Sequence, residues 1–133
     1  MEFKKGLISG IIAAIVLMLI FFIINMVTKT GEWYSTTFPE MMTAEAMWTG
    51  ALSILLTGIF MGLIYSVINS AVPGMGMRKG LNYGFMVWLL AGVMWPIMMI
   101  AFAPFNVWII ELISGLISYS ITGVVIAVIY EKL

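Results

Sequence analysis

Residues 7–27 read LISGIIAAIVLMLIFFIINMV and contain no charged side chain. The hydrocarbon core of a bilayer is about 30 Å thick, and about 20 apolar helical residues are needed to cross it. The stretch lacks the polar and apolar alternation of a membrane β-strand. It follows Lys4 and Lys5, but it is longer than the apolar part of a signal peptide, and no small-residue cleavage site follows it. We therefore expect a transmembrane helix that is retained in the mature protein.

Three further apolar stretches, uncharged or nearly uncharged, are long enough to cross the bilayer: residues 46–72, 81–103 and 107–130. Hydrophobic residues make up 63% of the chain and charged residues only 9%, which is unusual for a soluble domain. The sequence therefore predicts an all-α membrane protein. In it a single domain, residues 1–133, forms a bundle of four transmembrane helices in the lipid bilayer.

The basic residues predict how the chain is oriented, because Lys and Arg beside membrane spans are retained on the cytoplasmic side. Five of the six lie outside the segment between the first and second spans: Lys4, Lys5, Arg78, Lys79 and Lys132. That segment, residues 28–45, carries Lys29 and three glutamates and is predicted to be an external loop. We predict a multi-pass protein of the cell membrane with both termini in the cytoplasm.

Three local signals predict where helices begin or bend. Thr37 and Glu40 have the spacing of a capping box, so the second helix could begin near Phe38, or a short interfacial helix could precede it. Asn106 is a favourable N-cap for the fourth span. Pro96, which follows Trp95, predicts a kink in the third span.

The two halves of the sequence resemble each other. Residues 5–10 and 79–84 share the pattern K-G-L-x-x-G, and residues 49–58 and 114–123 share [S/T]-G-x-x-S-x-x-x-T-G. We interpret them as two tandem helical hairpins, residues 5–72 and 79–132, that enter the membrane in the same direction, as in parallel transporter repeats. Chance similarity is the alternative, because membrane helices draw on few residue types.

Small residues recur on one face of the second and fourth spans. Helices in lipid associate through close contacts at such residues, so this face is a predicted packing seam. Its alternative role is to bind further copies of the chain or another subunit. The residues of the seam are Gly50, Ser53, Thr57, Gly58, Gly62, Gly115, Ser118, Thr122 and Gly123.

Glu111 is the main candidate for an ion or proton site, because an ionisable group inside a membrane span is costly and indicates function. It lies four residues before Gly115 on the same face and about 7 Å into the fourth span. Glu45 lies at a comparable level of the second span but points about 100° away from the equivalent face. The alternative is that Glu111 lies in the headgroup layer, where a helix N-terminus favours a carboxylate.

The composition disfavours most catalytic and metal chemistry. The chain contains no cysteine and no histidine, which excludes disulfides and removes the usual ligands of zinc and haem. Thirteen methionines could bind Cu(I), but methionine is also a common packing residue. We therefore expect no catalytic residue, no metal and no cofactor. The net charge is zero, so a nucleic acid is not an expected partner.

Two functions fit these features. The sequence favours a non-catalytic accessory or structural subunit that packs through its small-residue seam in a larger membrane assembly. The alternative is a minimal homo-oligomeric transporter or channel for a proton, a cation or a small solute, with Glu111 at its site. An enzyme is disfavoured because no nucleophile and base are paired. The expected partners are other membrane subunits or further copies of the chain, and the motifs identify no family.

Overall fold

The computed structural model describes residues 2–133, which contain helices and no strand. Within this range four helices are long and apolar enough to cross a membrane, so the four predicted spans are confirmed: Phe3–Thr28, Ala44–Ala71, Met77–Met99 and Phe105–Lys132. The α-helices in this range are α1 (Phe3–Thr28), α2 (Thr30–Thr37), α3 (Ala44–Ile68), α4 (Met77–Val87), α5 (Met94–Met99) and α6 (Phe105–Lys132).

The long helices form an open arc. α1 packs against both α3 and α6, and α6 also packs against α4, whereas the backbones of α3 and α4 stay apart and meet through side chains. The order across the arc is therefore α3, α1, α6, α4. Large apolar side chains on the outward faces, such as Leu19 and Phe22, are exposed, as expected for surfaces that face lipid.

Glycines allow the helices of each hairpin to touch. A Cβ on Gly62 of α3 would lie 2.5 Å from the Cα of Gly10 in α1, and a Cβ on Gly123 of α6 would lie 2.8 Å from the Cα of Gly84 in α4. Neither position has room for a side chain. Such close backbone approach is the main source of helix association in lipid, where the hydrophobic effect contributes little.

A tyrosine cluster joins α3, α4 and α6 at one end of the bundle, measured along the helix axes. The ring of Tyr65 lies 5.0 Å from that of Tyr83 and 5.3 Å from that of Tyr130. The Tyr83 hydroxyl donates a hydrogen bond of 2.6 Å to the carbonyl oxygen of Met61. We call this the basic end, because it carries Lys4, Lys5, Arg78, Lys79 and Lys132. The opposite, acidic end carries Lys29, Glu32, Glu40, Glu45 and Glu111.

The segment between the first two spans is mostly helical. A short helix, α2, does precede the second span, but the predicted capping box at Thr37 is wrong. Pro39 keeps Phe38 out of the helical conformation, and a 3-10 turn (Pro39–Met42) follows. The N-cap of α3 is Thr43, whose hydroxyl accepts a hydrogen bond of 3.2 Å from the N–H of Ala46.

The predicted N-cap of the fourth span is also wrong, by two residues. α6 begins at Phe105, and Asn106 lies inside its first turn. Pro104 is the N-cap, since its extended backbone directs its carbonyl to the N–H of Val107 at 3.0 Å.

The third span is interrupted near Pro96, as predicted, and the interruption extends further than a kink. α4 ends at Val87, a single π-helical segment follows (Trp88–Gly92), and α5 begins at Met94. Pro96 has no N–H to bond the carbonyl of Gly92 four residues earlier, so the regular helix cannot continue there.

Candidate functional site

A cavity of about 530 Å³ opens at the acidic end, between α1, α2, α3, α5 and α6. This volume lies in the range of sites for small molecules. The lining residues with a nitrogen or oxygen atom in the side chain are Asn25, Tyr34, Ser53, Trp95 and Glu111. An acidic side chain of a predicted span, Glu111, thus lines a hollow large enough for a small ligand.

Glu111 carries the only carboxyl group among the residues that line the cavity. It is half-buried on α6, two turns after the start of the helix. Over residues 2–133 the ion pairing is confined to Lys5 and Glu2 at the basic end, so no lysine or arginine neutralises Glu111. A carboxylate that is half-buried in the protein is costly unless a cation or hydrogen-bond donors stabilise it.

Tyr34 is held beside Glu111 by the residues of the third span. Its hydroxyl accepts a hydrogen bond of 3.1 Å from the indole N–H of Trp95 and donates one of 3.5 Å to the sulfur of Met99. The ring of its neighbour Trp33 stacks on Phe102 at 6.4 Å. α2 is therefore fixed across the end of α5, with Tyr34 directed into the cavity.

The Tyr34 hydroxyl stays protonated in this environment. Burial raises the pKa of Tyr34 to about 12, with the hydrogen bond from Trp95 opposing the rise and the nearby charge of Glu111 adding to it. The ring face of a neutral phenol can contact a cation.

The predicted seam is divided between the cavity and the helix contacts. On α3, Gly50 and Ser53 are exposed and line the cavity, and Thr57 is half-buried one turn further on. The remaining seam residues are buried between helices: Gly58, Gly62, Gly115, Ser118, Thr122 and Gly123.

The buried hydroxyls of the seam take no part in the cavity. Ser118 donates to the carbonyl of Ser114, and Thr122 donates to the carbonyl of Ser118, each at 2.7 Å. Both side chains thus satisfy their hydrogen bonds within α6.

The structure does not bring the two candidate carboxylates together. Glu45 is exposed in the first turn of α3 and does not line the cavity. Of the methionines of α5, Met94 and Met98 are exposed and Met99 is buried, so the three do not share one environment.

Three cavity residues were missed in the sequence. Asn25 carries a signal, because it is an amide in an otherwise apolar span. Tyr34 and Trp95 carry none, because aromatic residues near span ends are common at the membrane interface. Their contact joins positions 61 residues apart.

Comparison with protein-family models, with curated proteins and with solved structures finds no match to this chain. The chemistry of the cavity therefore carries the functional argument. An unneutralised carboxylate beside the rings of Tyr34 and Trp95 is suited to a cation, since both charge attraction and cation–π contact favour one.

Proposed function

We propose that the protein is a minimal membrane transporter that binds a small cationic solute at Glu111. The observation that carries this proposal is the half-buried carboxylate of Glu111, which lines a cavity of about 530 Å³ without a basic partner in the described chain. A bound cation would supply the missing countercharge. Tyr34 and Trp95 would orient it through their ring faces.

The acidic and basic ends of the bundle suit a carrier that is accessible from one side of the membrane at a time. The cavity at the acidic end is open. At the basic end, the cluster of Tyr65, Tyr83 and Tyr130 joins three helices. Release of the cation to the other side would require this cluster to separate. We place the basic end in the cytoplasm, following the distribution of lysine and arginine.

A duplicated hairpin is part of this proposal. Gly62 meets the backbone of Gly6 and Gly10, and Gly123 meets that of Gly80 and Gly84, so each K-G-L-x-x-G motif receives one glycine from the partner helix. The sequence match pairs Gly58, not Gly62, with Gly123. The two hairpins would therefore differ by one helical turn in their packing register.

Transport by Glu111 is tested with tetramethylammonium. We expect purified protein in lipid nanodiscs to bind this cation and liposomes containing the protein to take it up. Glu111→Gln should weaken binding at least about tenfold, because a carboxylate and a quaternary ammonium about 5 Å apart attract by about 3 kcal/mol at an effective dielectric constant of about 20. Equilibrium dialysis of the radiolabelled cation measures binding, and filtration of the liposomes measures uptake.

Glu45→Gln is the matched control, since it makes the same change at an exposed carboxylate outside the cavity. It should leave both measurements unchanged. If Glu111→Gln binds and transports like the unmodified protein, or if both variants lose binding equally, Glu111 is not the cation site.

An accessory subunit of a larger assembly is the second candidate. No heavy atom of the described chain outside the neighbouring turns of α3 lies within 4 Å of a Cβ placed on Gly50, and Ser53 beside it is exposed. A helix of another subunit, or of a second copy, could pack against these small residues. Purification in mild detergent distinguishes the candidates, because a stoichiometric companion protein is expected only for the accessory subunit.

A further inference from the structure

A second hollow, of about 300 Å³, lies between α3 and α4. Its walls are almost entirely apolar and include Phe60 and Ile64 of α3 and Met86 of α4. We call it the lateral groove. The groove separates α3 and α4, the two helices at the ends of the arc, along their apolar, lipid-exposed sides. The hydrogen bond from Tyr83 to the carbonyl of Met61 joins these helices within it.

The lateral groove continues the acidic-end cavity. On α3, Ser53 lines the cavity and Thr57, one turn later, lines the groove. On the opposite wall, Trp95 lines the cavity and Ala91, four residues earlier, lines the groove. One helical turn is about 5.4 Å, so both walls pass from one hollow into the other over the length of a single turn. The two hollows therefore lie end to end.

Their chemistry changes sharply along this path. The cavity presents the carboxylate of Glu111 with the rings of Tyr34 and Trp95, whereas the groove presents almost no polar surface. A ligand that filled both would need a positive charge at one end and an apolar body at the other.

We propose that the cavity and the lateral groove bind one amphipathic cation, with its ammonium head at Glu111 and its apolar chain between α3 and α4. The position of the ammonium head at Glu111 rests on the proposed function. The inference adds the chemical class of the ligand and its route into the protein. The occupant is a single-chain amine dissolved in the bilayer. It enters sideways between α3 and α4, which leaves its chain in apolar surroundings throughout.

Charge complementarity selects this occupant over an ordinary phospholipid. The unneutralised carboxylate of Glu111 would repel the phosphate of a phospholipid headgroup, whereas it attracts an ammonium group that carries no phosphate. A neutral apolar molecule would fill the groove but leave Glu111 without a countercharge.

The test compares octyltrimethylammonium with tetramethylammonium, which has the same head and no chain. Binding to the full chain in nanodiscs is measured by equilibrium dialysis, and empty nanodiscs are subtracted to remove partition into lipid. We expect octyltrimethylammonium to bind at least about tenfold more tightly, referred to its free aqueous concentration, because each methylene group buried in the groove adds to the binding free energy. Octanol, which has the chain without the charge, should compete only weakly, because it makes no ionic contact with Glu111.

Two groove-filling variants separate the chain site from the head site. Ala91→Trp and Ile64→Trp should each remove the tenfold advantage of octyltrimethylammonium and leave tetramethylammonium binding unchanged, which also shows that the variant is folded. The use of two positions protects the test against misfolding at either one. Leu19→Trp, at an exposed residue of α1 outside the groove, is the matched control and should have no effect.

The outcomes distinguish the two proposals. If both groove variants leave octyltrimethylammonium unaffected while Glu111→Gln weakens both cations, the chain lies elsewhere, and this inference is overturned although the cation site stands. If octanol competes strongly and Glu111→Gln has no effect, the groove binds apolar chains without regard to charge. If the unmodified protein binds neither cation, the proposed function fails as well.

Discussion

Gly123 and Gly50 show how differently two glycines of one predicted seam are used. Gly123 lies where α6 crosses α4, and a Cβ there would lie 2.8 Å from the Cα of Gly84. Gly50 lies on α3 beside the open cavity. Apart from the neighbouring turns of α3, no heavy atom of the described chain lies within 4 Å of a Cβ placed there. The first glycine therefore maintains a helix contact, and the second leaves a surface free.

This difference predicts opposite effects of the same substitution. Gly123→Ala should lower the free energy of unfolding by about 1–3 kcal/mol, because the backbones of α4 and α6 must move apart to admit a methyl group. Gly50→Ala should leave it unchanged or raise it by up to about 1 kcal/mol, because alanine favours a helix over glycine. Reversible unfolding in mixed micelles with increasing dodecyl sulfate measures both. Equal losses of stability would mean that the close contact at Gly123 does not hold α4 and α6 together.

At the scale of residues, the sequence could identify Glu111 but not its surroundings. A charged residue inside an apolar span can be recognised from the sequence alone, because the free-energy cost of placing a charge in lipid depends on the solvent and not on the fold. The contact between Tyr34 and Trp95 depends on where α2 folds back, which no local pattern specifies. For the same reason, the seam could be predicted as small residues, whereas its division between the cavity and the packed contacts could not.

The break in the third span is the element that shapes the cavity wall. The π-helical segment before Pro96 adds a residue to a turn and so changes the direction in which the following side chains point. Trp95 thereby reaches the Tyr34 hydroxyl at 3.1 Å. The position of α2 consequently depends on a helix that is not regular.

Pro96→Ala should alter both elements. An alanine N–H could bond the carbonyl of Gly92, so backbone amides of α5 should exchange with deuterium at least about tenfold more slowly. A regular helix would turn Trp95 away from Tyr34, and loss of a hydrogen bond worth about 1 kcal/mol should speed exchange in α2 about fivefold. Hydrogen exchange with mass spectrometry in nanodiscs measures both segments.

Ile97→Ala is the control for this prediction, because it changes an exposed neighbour and keeps the proline. It should leave exchange in α2 unchanged. Slower exchange in α5 without faster exchange in α2 would show that the contact with Tyr34 does not require the break.

At the scale of elements, length and apolarity sufficed to predict the four spans, since bilayer thickness sets both. Their ends were harder to predict. The N-caps of α3 and α6 are Thr43 and Pro104 and not the predicted Thr37 and Asn106, because each cap depends on the backbone conformation around a nearby proline. The π-helical segment could not be predicted either, since residues 88–92, WLLAG, are compatible with an ordinary helix.

For the molecule as a whole, the charge difference between the two ends is the feature with the widest consequence. The basic end carries five of the six basic residues, and the acidic end carries four of the six acidic ones, including Glu111. A membrane protein with this bias should insert with its basic end in the cytoplasm. The cavity would then face the exterior, and an external cation could reach Glu111 without crossing the tyrosine cluster.

The absence of native cysteine makes this orientation directly measurable. Glu40→Cys places one thiol at an exposed position of the acidic end, and Met75→Cys places one in the exposed turn at the basic end. In intact cells a membrane-impermeant maleimide should label Glu40→Cys, whereas Met75→Cys should react only after the membrane is permeabilised. The reverse pattern would place the Glu111 cavity on the cytoplasmic side, so that the carrier would load from within. Labelling of both thiols in intact cells would mean that the five-to-one bias does not fix a single orientation, and transport would then have to proceed through molecules that face both ways.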